Sequence, residues 1–424
     1  MIVILLAVLA VLVLGGTAIA AAMGTTGLID AIVSGLPVQN VAQAMFAGLE
    51  SFTLLAIPLF ILTGEILHRS GAADRLVAFV NACVAWLPGG LGISVVGSTM
   101  VFSGLSGSVN ADAAAIGSTM LPPMERAGYR REWSASIVAA SSGTGVLIPP
   151  SITIIVLATV ANLSVTELFL AALLPAAVVA ISKVIVILWY ARFVEPPVER
   201  VAPGFGALGR AFGRAVPALV APLVILGGIF SGTFTATEAA AIAVLYSTLL
   251  ALAYRTIPWR EWGGMLVRVG KTSGVVLVLV GVAQILAYML AYDRVEVSLA
   301  DWASGFTGNY LLFTLVLIVV FWIIGALLDG MPALIVLAPL FLPLAQEAGM
   351  SPLHFAVLAL AIIGISLVTP PLGTACFIVS GIANVSMARL VKPMAPFIVI
   401  MFVTMILLAY VPGFAEWLPG LYGE

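Results

Sequence analysis

The chain has 424 residues, 62% hydrophobic and only 8% charged, which leaves too little polar surface to solvate a globule of that size; water is not its main solvent. A net charge of −2 without basic runs argues against nucleic acid as a partner. Cys83 and Cys376 fall in apolar surroundings in different halves and suggest neither a disulfide framework nor a metal-ligand cluster.

Uncharged runs at Met1–Ile29, Leu76–Ala111, Trp133–Thr166, Trp302–Leu328 and Phe355–Ala388 each meet or exceed the roughly 20 residues that cross a bilayer, so the expected class is an all-α polytopic membrane protein. Spans are expected near 2–22, 52–68, 132–158, 167–191, 215–230, 236–254, 272–291, 353–379 and 393–411. The first lacks a basic n-region and is too long for a secretory signal, so it reads as a retained span. Two re-entrant hairpins, near 90–124 and 311–346, are marked by the centres Ser103–Ser108 and Gly325–Pro332. Irregular backbone at membrane depth survives only inside protein or beside a cavity, so these centres should face inward. Amphipathic stretches near 73–88 and 294–309, and again at Trp259–Gly270, read as interfacial helices.

The Pro- and Gly-containing loop 195–213 reads as the connection between halves. It divides the chain into a first repeat over 1–200, a linker at 201–214, and an extra span plus second repeat over 215–424. Thr235 with Glu238 and Ser164 with Glu167 have capping-box spacing, and Ser351-Pro352 fits an N-cap followed by a first-turn proline. His68 and His354, at span ends, read as surface residues. Gly264 to Gly270-Lys271-Thr272 imitates a phosphate loop but has one residue too many and no strand before it.

The two halves repeat each other. Adding 221 carries Leu121 to Leu342, Pro122 to Pro343, Gly128 to Gly349, Gly104 to Gly325, Gly143 to Gly364, Pro149-Pro150 to Pro370-Pro371 and Pro175 to Pro396. Ala161–Ser164 echoes Ala383–Ser386 one residue out of phase. Paired apolar segments interrupted by Gly and Pro at matching places point to the binding site of a secondary transporter. Arg69, Arg75, Arg126, Arg130, Arg131, Arg192 to Arg214, Arg255 to Lys271, Arg389 and Lys392 fall on one side of this topology, which should be cytoplasmic; the other side carries Arg294 alone. Five spans separate equivalent points, an odd number, so the repeats are expected to be inverted.

Hydroxyls and glycines cluster at Ser103–Asp112 and at Ser141–Ser151. Tandem proline deprives the neighbouring turn of N–H donors and exposes carbonyl oxygens, which together with Ser and Thr oxygens suit a dehydrated Na⁺, while hairpin N-termini suit an anion. The bland alternative is that small residues only allow close helix packing. Gly325, Asp329, Gly330, Pro332 and Gly364–Thr374 form the matching second set. Asp329 and Asp112 are each open to two readings, ion ligand or cap of the second hairpin arm. Residues facing the transported anion are sought among Ser108, Asn110, Asp112, Ser142, Thr144 and Thr374.

At Ser103–Gly117, Gly128-Tyr129, Ile148–Ser151, Thr237–Ala239 and Thr369–Gly373 the chain resembles, nearly end to end, the large membrane subunit of a tripartite ATP-independent periplasmic (TRAP) transporter. The resemblance implies Na⁺-coupled uptake of an organic anion (a carboxylate or sulfonate) by an elevator mechanism in a bacterial or archaeal cytoplasmic membrane. It further implies two Na⁺ sites, a separate small four-helix membrane subunit and a soluble periplasmic binding protein. Matched by motif, the first ion site would use Ser103, Ser106, Gly145, Ile148 and Pro150, and the second Gly325, Ser366, Thr369 and Leu372. Ser366 stands where that family usually has Gly, adding a hydroxyl or shifting the second site, and Asn110 stands where a small residue is more usual.

A stand-alone Na⁺/dicarboxylate carrier of related architecture is the alternative within transport. An intramembrane aspartyl protease using Asp112 and Asp329 is a different class, but neither residue lies in a motif and the repeat maps Asp112 onto Ala333.

Overall fold

The computed structural model describes residues 7–9, 11–13, 15–194, 205–293 and 308–422, which are mostly helical with no strand among them. Eight of the described helices are long and apolar enough to cross a membrane.

The N-terminal region departs from expectation. A single span near 2–22 does not form, because Gly15-Gly16 makes a turn, with Gly16 at φ +82° and Thr17 N–H donating to Leu12 O at 3.0 Å. The next helices, α1 (Ile19–Val33) and α2 (Val38–Leu49), occupy most of the stretch between the expected spans at 2–22 and 52–68. A short 3₁₀ turn then leads into α3 (Ala56–Arg69), and α4 (Ala72–Val84) is the expected surface helix.

The first hairpin is α5 (Gly90–Ser106) and α6 (Val109–Arg126), turned at Gly107 with φ +58°. The first broken span runs as α7 (Arg131–Ser142), a 3₁₀ turn Gly143–Val146, an irregular stretch through Pro149-Pro150, and α8 (Ile152–Val160). The long α9 (Val165–Phe193) begins where the Ser164 hydroxyl accepts from Glu167 N–H at 3.3 Å. α10 (Phe205–Phe230) starts inside the stretch read as a linker. α11 (Ala236–Tyr254) opens with the expected capping box: Glu238 N–H donates to Thr235 Oγ1 at 3.3 Å, and Thr235 N–H to Glu238 Oε2 at 2.8 Å.

Trp259–Gly270 is not a separate interfacial helix. It continues into the next span as α12 (Trp259–Tyr292), whose 34 residues extend about 51 Å, well beyond a bilayer core. Residues 294–307 of the second expected interfacial helix lie outside the described residues. The second hairpin, α13 (Tyr310–Leu328) and α14 (Gly330–Glu347), turns at Asp329, and the second broken span is α15 (Pro352–Ser366) and α16 (Thr374–Ala383). α17 (Met387–Tyr410) is followed by α18 (Gly413–Tyr422), which the sequence reading lacked. α18 packs on α9, and Ser351 bonds Glu416 on it. His354 is buried rather than at the surface, because its Nε2 meets Leu408 O at 2.8 Å.

Helix starts restate the repeat: Val109 to Gly330 and Arg131 to Pro352 differ by 221, Ile152 to Thr374 and Val165 to Met387 by 222. The extra residue falls in the second break, which explains the slipped echo after it and corrects one pairing: at this offset Pro175 matches Phe397, with Pro396 one residue out of phase. Gly143 and Gly364 touch reciprocally, a Cβ on either coming 2.5 Å from the other's carbonyl oxygen, as a two-fold relation between the repeats produces. Around this point α7 is lined by Ser134, Ala135, Ser136, Ala139 and Ala140, all at 0% exposure. Close van der Waals contact between small residues holds helices together where lipid removes the hydrophobic drive. A separate layer forms where α11 packs on α3 and α12 packs on α1 and α2.

Candidate ion-coupling site

Ser108 is the N-cap of α6, accepting from Ala111 N–H at 3.4 Å, so the reading of Asp112 as that cap is corrected. Asp112 instead reaches back across the hairpin and accepts from the hydroxyls of both Ser103 and Ser106 on α5. All three side chains are buried, and Asp112 and Ser103 are at 0% exposure. A carboxylate at such a place is stabilised only by partners of this kind.

The broken span comes up against the same carboxylate. A Cβ on Gly145 would lie 2.4 Å from Asp112 Oδ2 and 3.1 Å from Ser103 Oγ, so only glycine lets the 3₁₀ turn approach this closely. On the hairpin side, a Cβ on Gly104 would lie 3.3 Å from Pro149 O, and one on Gly107 3.1 Å from Pro150 O. Ile148 packs its Cγ2 beside Gly104. Ser103, Ser106, Gly145, Ile148 and Pro150 therefore converge, and Asp112 joins them. Hydroxyl, carbonyl and carboxylate oxygens at an unwound helix are the donor set that suits a monovalent hard cation.

The second crossing is built differently. A Cβ on Gly325 would lie 2.6 Å from Ser366 Oγ, whose hydroxyl donates to Ile363 O at 2.8 Å. The Thr369 hydroxyl donates to Ile365 O at 2.7 Å and accepts from Trp322 Nε1 at 3.3 Å. Thr369 and the exposed Leu372 line a cleft of about 220 Å³ with Trp322 and Pro370. Asp329 takes the capping role at α14, accepting from Gly330 N–H at 2.8 Å.

Of the residues sought for the anion, Asn110 and Thr374 meet across the repeats, the Thr374 hydroxyl donating to Asn110 Oδ1 at 3.0 Å. Ser108 borders a cavity of about 330 Å³ that Gly64, Glu65 and His68 of α3 and Thr272 of α12 enclose from the opposite layer. Ser142, whose hydroxyl donates to Ala139 O at 2.8 Å, Thr144 and Asp112 are buried in this conformation.

Sequence reasoning passed over Lys183. It lies within α9 at 0% exposure and donates to the Thr144 hydroxyl. The signal was present, a lone basic residue deep in an apolar run, and such residues mark function by default.

Residues 4–414 match the model of the tripartite ATP-independent periplasmic transporter, DctM component. The chain belongs to this family. It is 34% identical over 389 residues to the C4-dicarboxylate TRAP transporter large permease protein DctM of Pseudomonas aeruginosa, covering 91% of this chain and 90% of that one. It is 31% identical to the isethionate TRAP transporter permease protein DctMQ of Oleidesulfovibrio alaskensis, covering 96% of this chain and 64% of that longer protein. In fold it is similar to the Alcanivorax borkumensis YdaH transporter, with a TM-score of 0.63 at 16% identity over 90% of both chains. This TRAP permease is thus a multi-pass inner-membrane transport protein. These relatives are named as transport permeases, not as proteases.

Proposed function

We propose that the permease is the transmembrane subunit of a Na⁺-coupled, binding-protein-dependent importer of an organic anion, a carboxylate or sulfonate, operating as an elevator. The observation that carries this reading is the convergence of Ser103, Ser106 and Asp112 on the Gly145 turn, which gathers hydroxyl and carboxylate oxygens beside unwound backbone. One Na⁺ is assigned to this crossing and a second to Gly325, Ser366, Thr369 and Leu372. The anion is assigned to the hairpin tip at Ser108 and Asn110 and to Thr374, where the N-terminal end of α6 favours negative charge. The chemistry of the cargo is supported by relatives named for C4-dicarboxylate and isethionate. The elevator is supported by the separate layer of α3, α11 and α12, against which the hairpins and broken helices would travel.

Family membership implies a small membrane subunit and a periplasmic binding protein as partners, and DctMQ is a longer relative. Reconstitution into liposomes tests the whole reading. Uptake should require a Na⁺ gradient, the small subunit and a loaded binding protein. Uptake unchanged when choline replaces Na⁺ rejects the coupling, and full-rate uptake by this polypeptide alone favours a stand-alone carrier.

A further inference from the structure

Asp112 and Lys183 both stand at 0% exposure, and both touch the same four-residue turn. Asp112 lies against Gly145 from the hairpin, and Lys183 bonds the hydroxyl of Thr144, the residue before it, from α9. A buried cation and a buried anion are each expensive alone, and here both are brought against one turn. Pure packing does not require this arrangement, since an apolar side chain of the same length would fill the Lys183 position without bringing a charge into the membrane interior.

We propose that Lys183 is the counter-charge of the first crossing, a positioning residue that balances Asp112 across the 143–146 turn and limits how tightly a monovalent cation is held there. This rests on the Na⁺ assignment made above. The sign of its effect separates charge balance from a structural tether. With Lys183 in place, the crossing is neutral before Na⁺ arrives and carries one positive charge after. Without it, the crossing is negative before and neutral after, so the ion binds more tightly. A lysine that only braced the turn would act in the opposite direction, because its loss would loosen the ligands. Moderate affinity serves release into a cytoplasm, and Lys183 supplies that moderation.

The experiment measures thermal unfolding of the full-length permease in detergent while NaCl replaces choline chloride at constant ionic strength. The unmodified protein should be stabilised by Na⁺. Lys183→Met should lower the half-saturating Na⁺ concentration by about ten-fold, the scale of one nearby charge in a partly screened interior. A half-saturating concentration that is unchanged or raised overturns the proposal and leaves the Na⁺ assignment standing. Absence of any Na⁺ response in the unmodified protein overturns both. If Lys183→Met fails to fold, the double variant Asp112→Asn with Lys183→Met, which buries neither charge, should regain membrane yield. Failure of the double variant to do so overturns the charge balance.

Discussion

Gly143 and Gly364, separated by the repeat offset, lie backbone to backbone: a Cβ on either would come 2.5 Å from the carbonyl oxygen of the other. Each begins or precedes the break in its own span, so the two discontinuities face each other. In such a position helix packing and the geometry of both crossings depend on the same contact.

Gly143→Ala should therefore destabilise the protein, because backbone cannot yield as a flexible side chain does. Overpacking of this kind costs about 1–3 kcal/mol. Thermal unfolding in detergent should detect it, against Gly381→Ala as a control in open space. Equal melting temperatures for the two variants would mean that the central glycines are not in contact.

At the first crossing, Gly145→Ala would drive a methyl group into Asp112 Oδ2 at 2.4 Å and toward Ser103 Oγ at 3.1 Å. The carboxylate must then move away from the turn, and the oxygens gathered there are drawn apart from it. Na⁺-dependent stabilisation should be lost while helix content, read by circular dichroism, stays near that of the unmodified protein. Retained Na⁺ stabilisation in a folded variant would remove this turn from the ion site.

Much of this arrangement is legible in the sequence because its punctuation is chemical. Gly107 permits the hairpin turn, Pro149-Pro150 and Pro370-Pro371 break their spans, and Thr235 with Glu238 caps α11, each through local backbone geometry. What local pattern does not encode is which partner arrives from elsewhere. Lys183 acquires meaning from Thr144, 39 residues away, and His354 is buried because Leu408 O reaches it from α17. Helix continuity escapes local pattern for a related reason. The change from amphipathic to largely apolar character after Ser273 carries no proline, so α12 runs straight through, whereas Gly15-Gly16 makes a turn inside a run that hydropathy reads as unbroken.

The bond from Thr374 to Asn110 joins the hairpin of one repeat to the broken span of the other. Asn110→Ala and Thr374→Val should each weaken uptake by raising the substrate concentration for half-maximal rate. Combined, they should cost less than the product of the two effects, since residues sharing a partner couple by about 0.5–3 kcal/mol. Strict additivity in liposome uptake would place the two residues in independent roles.

Thr369→Val keeps the shape of the second crossing and removes its hydroxyl, leaving Ile365 O and Trp322 Nε1 without that partner. If two ions act together, the Na⁺ activation curve should change from sigmoidal to hyperbolic, its Hill coefficient falling to about one. An unaltered sigmoidal curve would exclude the Thr369 hydroxyl as a ligand.

Orientation supplies the last prediction. The broken span α7–α8 and the helices α9, α10, α11 and α12 make five crossings between the hairpins, so α5–α6 and α13–α14 should enter from opposite faces. The residues that close each hairpin mark those faces: Arg126 ends α6, and Gly349 follows α14 at φ +87°. With Cys83 and Cys376 replaced, a cysteine at 126 should react with membrane-impermeant maleimide only from the cytoplasm, and one at 349 only from the periplasm. An elevator adds a further demand, because residues near the tips, such as Ser106 and Pro332, must change the side from which they are reached as the domain travels. Cysteines there should label from both faces in proportions that shift with Na⁺ and substrate. Labelling of 126 and 349 from one common face would break the inversion, and with it the pairing of the two crossings into equivalent ion sites.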